Sequence, residues 1–324
     1  MSNTSPHKIY DFNAEVKNDH GKFVRTASKF REFVGSEQFP LESDRYALIL
    51  AYACPWCHRT DLVRTLKGLE KIIPVVFVDN FLGEEGWRFG HEGDQDTISG
   101  LDAKFLREIY LQSNPNYEGK ITVPVLYDKK QHLIVNNESS EIIRMMNDQF
   151  NSLATRNQSL DLYPSELRSE IDKVNEWVYP NINDGVYKCG FAQKQQAYEE
   201  AFHALFKTLD ELENILSSQR FIVKGSKHVT EADLRLLPTL LRFDIVYYTH
   251  FKCNLKSLRH GYPNIYNYMK EVYQLDGGIL SQTFNVDQTK KHYFGSHRRI
   301  NGFGIVPLGP DITGYYDTPF HRNL

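Results

Sequence analysis

The sequence is poor in cysteine, nearly balanced in charge and without a long apolar run, and each shortage removes a class of protein. Four cysteines in 324 residues are too few for the stapled framework of a small secreted fold, and two of them in a Cys-x-x-Cys pair suit redox use in a reducing compartment. Lysine and arginine number 38 against 41 aspartate and glutamate, a formal charge of −3, so there is no broad cationic footprint for nucleic acid. No apolar stretch approaches the ~20 residues that cross a bilayer. The opening Met1-Ser-Asn-Thr-Ser-Pro-His-Lys8 lacks the apolar segment of an export signal. The expectation is a soluble, cytoplasmic protein, long enough for two cores. Aromatic residues, in contrast, are abundant, with 19 tyrosines and 20 phenylalanines; phenols beyond those needed for packing can line a pocket for a flat ring.

Cys54-Pro55-Trp56-Cys57 carries the clearest chemical signal. It follows an apolar run, Tyr46–Tyr52, and precedes Leu62, Val63, Leu66 and Leu69 at helical spacing, with Pro55 suited to a first helical position. Cys54 then stands at the helix start, where unpaired N–H groups and the positive end of the helix dipole favour thiolate over thiol. Cys57 lies one turn on, within reach of a Cys54–Cys57 disulfide. Other readings of the pair need partners the sequence does not supply. A Cys-x-x-Cys-His58 haem attachment requires export, and zinc requires a second ligand pair, whereas Cys189 and Cys253 stand alone.

Residues 1–44 read as an N-terminal arm. From 45 to 150 the signals alternate: strand 46–52, helix 55–68, strand 73–79, a helix near 101–111, strands 123–127 and 132–135, and helix 139–150, a βαβ unit followed by α and ββα. A glycine- and acid-rich loop over 80–100 carries Trp87 and is long enough to suggest a function. Residues 151–164 suit a linker. From 165 the pattern is helical, with Phe202, Leu205, Leu209, Leu212 and Leu216 as a core stripe and Thr230-Glu-Ala-Asp233 as a helix start. The last 45 or so residues read as an irregular tail.

A strand leading into Cys-Pro-x-x, Val123-Pro124 before a strand and Glu138-Ser139 before a helix together resemble the thioredoxin-like half of glutathione transferases. Longer strings narrow this. Cys54-Pro-Trp-Cys-His-Arg59, Gly86-Trp87, Asn183-Asp-Gly-Val-Tyr187-Lys, Arg242-Phe-Asp-Ile-Val-Tyr247 and Lys291-His-Tyr293-Phe-Gly-Ser-His297 are similar to glutathionyl-hydroquinone reductases, the Xi class of that superfamily. The resemblance implies an α/β plus all-α architecture, with a thioredoxin-like domain over 45–150 and an all-helical glutathione-transferase domain over 165–324. It implies a glutathione site of Trp87, Val123, Pro124, Glu138 and Ser139, a hydroquinone site of Tyr187, Tyr247 and Tyr293, and catalysis by Cys54 with Tyr187 and Tyr293. Glutathione would be co-substrate, with no metal and no bound cofactor. The partners implied are glutathione and aromatic glutathione conjugates, in a detoxifying homodimer that engages neither nucleic acid nor membrane. Related activities remain beside it: an omega-like thioltransferase or dehydroascorbate reductase, and a non-enzymatic ligand-binding protein of the same fold. Cys57 departs from the family pattern, so an internal disulfide competes with a second glutathione for resolving the Cys54 adduct.

Overall fold

A computed structural model describes residues 20–90, 103–312 and 314–322. The most apolar strand is the most enclosed. β1 (Tyr46–Leu50) is buried along its whole length, as expected of a strand covered on both faces. It lies between β2 (Val75–Phe77), which it pairs in parallel, and β3 (Val125–Asp128), which it pairs antiparallel; β4 (Leu133–Asn136) completes the sheet order β2-β1-β3-β4. α1 (Pro55–Leu66), α2 (Leu106–Ser113) and α3 (Ser139–Asn147) belong to the same half. This is the expected thioredoxin-like arrangement.

The second half is helical, as expected: α4 (Arg168–Val178), α5 (Gly185–Gly190), the 22-residue α6 (Gln195–Leu216) and α7 (Glu231–Arg242). Short helices α8 (Tyr248–His250) and α9 (Leu258–Gly261) lead into α10 (Pro263–Tyr273) and α11 (Leu275–Gly278), a turn interrupted by left-handed Asp276 and Gly277. Leu205, Leu209, Leu212 and Leu216 of α6 are fully buried, as their spacing requires. The α7 start is tied down by Asp233, which accepts from Thr230 N at 2.8 Å and from Tyr268 O–H at 2.7 Å.

Three readings need correction. The tail is not uniformly irregular, because α12 (Val286–Ser296) lies within it; its buried face mixes Thr289, Lys290, His292 and Tyr293, so no apolar stripe advertised a helix. The helix expected near 101–111 begins at Leu106, since Phe89 N–H bonds to Lys104 O at 3.0 Å and Phe105 bridges Arg88, which holds 104–105 extended; 91–102 lie outside the described residues. The helix expected to Phe150 ends at Asn147 and passes into a 3₁₀ turn, Gln149–Leu153.

α1 is buried on nearly every side, between α3 and α7, and so carries unusual polar cargo inward: His58, Arg59, Thr60, Asp61 and Thr65 are all buried. Two of them face the junction of the halves: His58 meets Thr283 and Arg242, and Arg59 meets Arg235. The arm also reaches both halves: Gln193 N–H bonds to Gly21 O at 3.0 Å, and Glu32 N–H to Val135 O at 3.0 Å.

Candidate active site

Cys54 is the N-cap of α1, with extended backbone (φ −74°, ψ 118°), and its sulfur accepts the Cys57 N–H at 3.4 Å. Burial penalises a thiolate here. The hydrogen bond from the Cys57 thiol, the N–H groups of Cys57 and Trp56 and the charge of Arg242 outweigh it, and hold the Cys54 thiol below its ordinary value. Cys57 moves the other way: burial and the neighbouring Cys54 sulfur push it well up. The pair is thus divided into a thiol held down and a thiol held up, and a lowered thiol at a helix start is a candidate nucleophile. Both sulfurs are free.

The charge that favours the thiolate comes from a residue to which sequence reasoning gave no role. Arg242 is fully buried. Its guanidinium donates to Ala53 O and Tyr52 O at 2.8 Å each and to Pro238 O and His58 Nδ1 at 2.9 Å each, and no described carboxylate pairs with it. It therefore clamps the two carbonyls that lead into Cys54 while leaving its charge uncompensated. Buried charges are seldom left so. The only trace in the sequence was its position five residues before Tyr247.

Around Cys54 lies a cavity of about 120 Å³, lined among others by Arg25, Trp56, Trp87, Val123, Tyr187, His292 and Tyr293. Tyr293 O–H stands 2.6 Å from that of Tyr187 and 3.2 Å from that of Tyr247, three phenols joined from separate helices. Burial raises all three, Tyr187 and Tyr247 well above the ordinary phenol, so they remain protonated donors at neutral pH. Tyr247 is fully enclosed and does not line the cavity; it reaches the space through Tyr293. Trp87 stacks on His292, ring centres 5.2 Å apart, which docks the long loop against α12.

Beside this cavity, and sharing Arg25, Trp56, Thr122 and Val123 with it, lies a groove of about 380 Å³ bordered by Pro124, Glu138, Ser139, Arg59 and Arg235. The Val123-Pro124 bond is cis, and Val123 O lies 3.6 Å from Cys54 Sγ. Glu138 caps α3, accepting from Ser140 N at 3.1 Å and from Ser28 Oγ at 3.2 Å; Ser139 is buried at the helix start. All five residues offered for glutathione thus border either this groove or the adjoining Cys54 cavity.

Arginines line that space too, and the sequence did not single them out. Arg25, on the arm, pairs with Asp184 at 2.8 Å and lies 4.8 Å from the Trp56 ring centre. Arg31 pairs with Glu141, and Arg235 with Glu231. Arg59 has no described carboxylate partner. It is 2 % exposed, its Nε has no hydrogen-bond partner, and burial together with the charge of Arg235 depresses it to about 9. A guanidinium in that state is short of an anion.

Comparison with known proteins gives the family. The glutathione S-transferase N-terminal domain model matches residues 53–149 and the C-terminal domain model residues 195–271. Glutathionyl-hydroquinone reductase YqjG of Escherichia coli is 44 % identical over 306 residues, 91 % of each chain. The crystal structure of glutathione S-transferase Xi from Phanerochaete chrysosporium superposes with a TM-score of 0.84 at 46 % identity, over 89 % of this chain and 98 % of that one. The chain belongs to the Xi class of glutathione transferases. Within that class, glutathione-bound YqjG is also similar, with a TM-score of 0.84 at 42 % identity over 91 % of this chain and 96 % of that one. Glutathione S-transferase omega-like 2 of Schizosaccharomyces pombe is 44 % identical over 96 % of this chain and 98 % of its own length.

Proposed function

We propose that this Xi-class transferase reduces glutathionyl-hydroquinones to hydroquinones at the expense of glutathione. One observation carries the reading: a thiol held below its ordinary value shares a cavity of about 120 Å³ with two protonated phenols. The relative named glutathionyl-hydroquinone reductase, at 44 % identity, supports it.

Glutathione would lie along the groove, its cysteinyl backbone on the Val123-Pro124 strand edge in a short β-augmentation. Glu138 would receive its ammonium group, and Ser139 at the α3 start its γ-glutamyl carboxylate. The unpaired guanidinium of Arg59 is a second partner for that carboxylate, and Trp87 would cover the tripeptide. The ring, in its keto tautomer, would face Tyr187 and Tyr293, whose O–H groups stabilise the oxygen on which negative charge grows. The Cys54 thiolate then attacks the glutathione sulfur. The S–S bond forms as the ring C–S bond breaks, the ring fragment leaves with the electron pair as a phenolate, and its oxygen is protonated to give hydroquinone. A second glutathione, as thiolate, attacks the Cys54–glutathione disulfide, releases glutathione disulfide and restores Cys54. The ring carbon is reduced, and two glutathione sulfurs, one from the conjugate and one from the free thiol, are oxidised to the disulfide.

Mass spectrometry after mixing the protein with glutathione and a glutathionylated menadiol tests this. Free menadiol, glutathione disulfide and a glutathione adduct on Cys54 are the expected products. Turnover of small mixed disulfides without menadiol release would leave a thioltransferase instead. We also infer a cytoplasmic homodimer formed through the helical half; a monomer mass by light scattering at micromolar concentration would remove the dimer.

A further inference from the structure

The cavity at Cys54 is small. At about 120 Å³ it approaches the ~150 Å³ in which a single benzene ring is known to fit, so a substituent on that ring must lie elsewhere. On the side away from the glutathione groove, Leu82, Phe191 and His297 line both this cavity and a larger chamber of about 860 Å³. The division is one ring thick: Phe191 lies 6.1 Å from the Tyr187 ring and 5.3 Å from that of His297, which is 5.4 Å from Tyr293.

The outer chamber has a definite chemistry. Phe81, Leu82, Phe191 and Ile300 give it apolar walls, and Phe81 is 47 % exposed, unusual for so large an apolar side chain. Its charged lining is Lys252, Arg298 and Arg299 against Glu84 alone. Among the described residues, Lys252 and Arg298 have no carboxylate within ion-pair reach. The guanidinium of Arg298 lies so close over Gly304 (φ +67°) that a β-carbon there would collide with it.

We propose that this chamber is a substituent subsite, and that the enzyme prefers hydroquinone conjugates whose ring carries a short apolar arm ending in a carboxylate. The ring occupies the Cys54 cavity, the arm passes His297, and the carboxylate meets Lys252 and Arg298. This inference rests on the activity proposed above and names its substrate class.

The test compares two glutathione conjugates, of carboxybutyl-hydroquinone and of butylhydroquinone, which differ only in the acidic group. For the wild-type protein at low salt the ratio of their kcat/KM values should favour the acid by about fivefold to tenfold, what two partly exposed ion pairs supply. That ratio should shrink as salt shortens the Debye length from ~30 Å at 0.01 M to ~3 Å at 1 M. In the double variant K252Q/R298Q the ratio should fall to about one, as two lost ion pairs require, with the butyl conjugate as internal reference. Both side chains are exposed, so folding is not at stake. A wild-type ratio near one, or one that survives the double substitution, would overturn the subsite. Turnover of neither conjugate would overturn the proposed activity, and the subsite with it, whereas equal turnover of both removes the subsite alone.

Discussion

Tyr293→Phe separates the proposed chemistry from plain thiol exchange. Tyr293 O–H joins Tyr187 at 2.6 Å and Tyr247 at 3.2 Å, and its residue borders the Cys54 cavity. Removing that oxygen deletes one donor to the developing ring oxyanion and unties the second, Tyr187. Loss of one such donor costs ~3 kcal/mol, roughly a hundredfold in rate, so release of menadiol from its conjugate should fall by about that factor. Two lost hydrogen bonds should also lower stability by about 1–3 kcal/mol, seen as a modest drop in Tm with the fold intact. Reduction of a small mixed disulfide needs only Cys54 and glutathione, and should stay within about twofold, well under the 1.4 kcal/mol that marks a tenfold change. The assay is parallel kcat/KM for both substrates on one preparation. Equal losses for both would make Tyr293 a packing residue and refute the reasoning; no loss for either would refute the oxyanion role.

Other expectations follow from the same geometry. Alkylation of Cys54 by iodoacetamide should show an apparent pKa below the ordinary thiol value, and Cys54→Ser should abolish turnover. Cys57→Ser should remain active, since glutathione can resolve the adduct; accumulation of glutathionylated protein in excess glutathione would make Cys57 the resolving thiol. Arg59→Met should weaken glutathione binding by about 10- to 100-fold, the ~1.5–3 kcal/mol of a charged hydrogen bond, measured by calorimetry, while an unchanged Kd would remove Arg59 from the site. Buried imidazoles predict acid lability. Burial depresses His250 to about 3 and His292 to about 4, from 6.5, so the unfolded chain takes up those protons first. Their contribution is intact above pH 6.5 and declines as the pH falls toward the folded values, by about 2 kcal/mol for each at pH 5. Chemical denaturation at pH 7 and pH 5 should register that loss; equal stability would contradict it.

Local signals were sufficient where the chemistry is local. The β1 apolar run, Pro55 and the position of Cys54 determined a strand, a turn and a capped helix within a dozen residues, and with them the candidate nucleophile, because a helix N-terminus acts on its own first turn. Val123-Pro124 and Glu138-Ser139 stood out only through the family resemblance. α12 was not legible, since its buried face is polar and packs against loop and helix residues distant in sequence. Tertiary structure alone brought Tyr187, Tyr247 and Tyr293 to one junction of hydroxyls and then divided them, two at the cavity and one behind. It alone placed Arg242 beneath Cys54, 188 residues apart in numbering, and left Arg59 without a carboxylate among the described residues. A hydrogen bond or a buried charge depends on distance and on the absence of water, and sequence spacing records neither once the chain has folded back on itself.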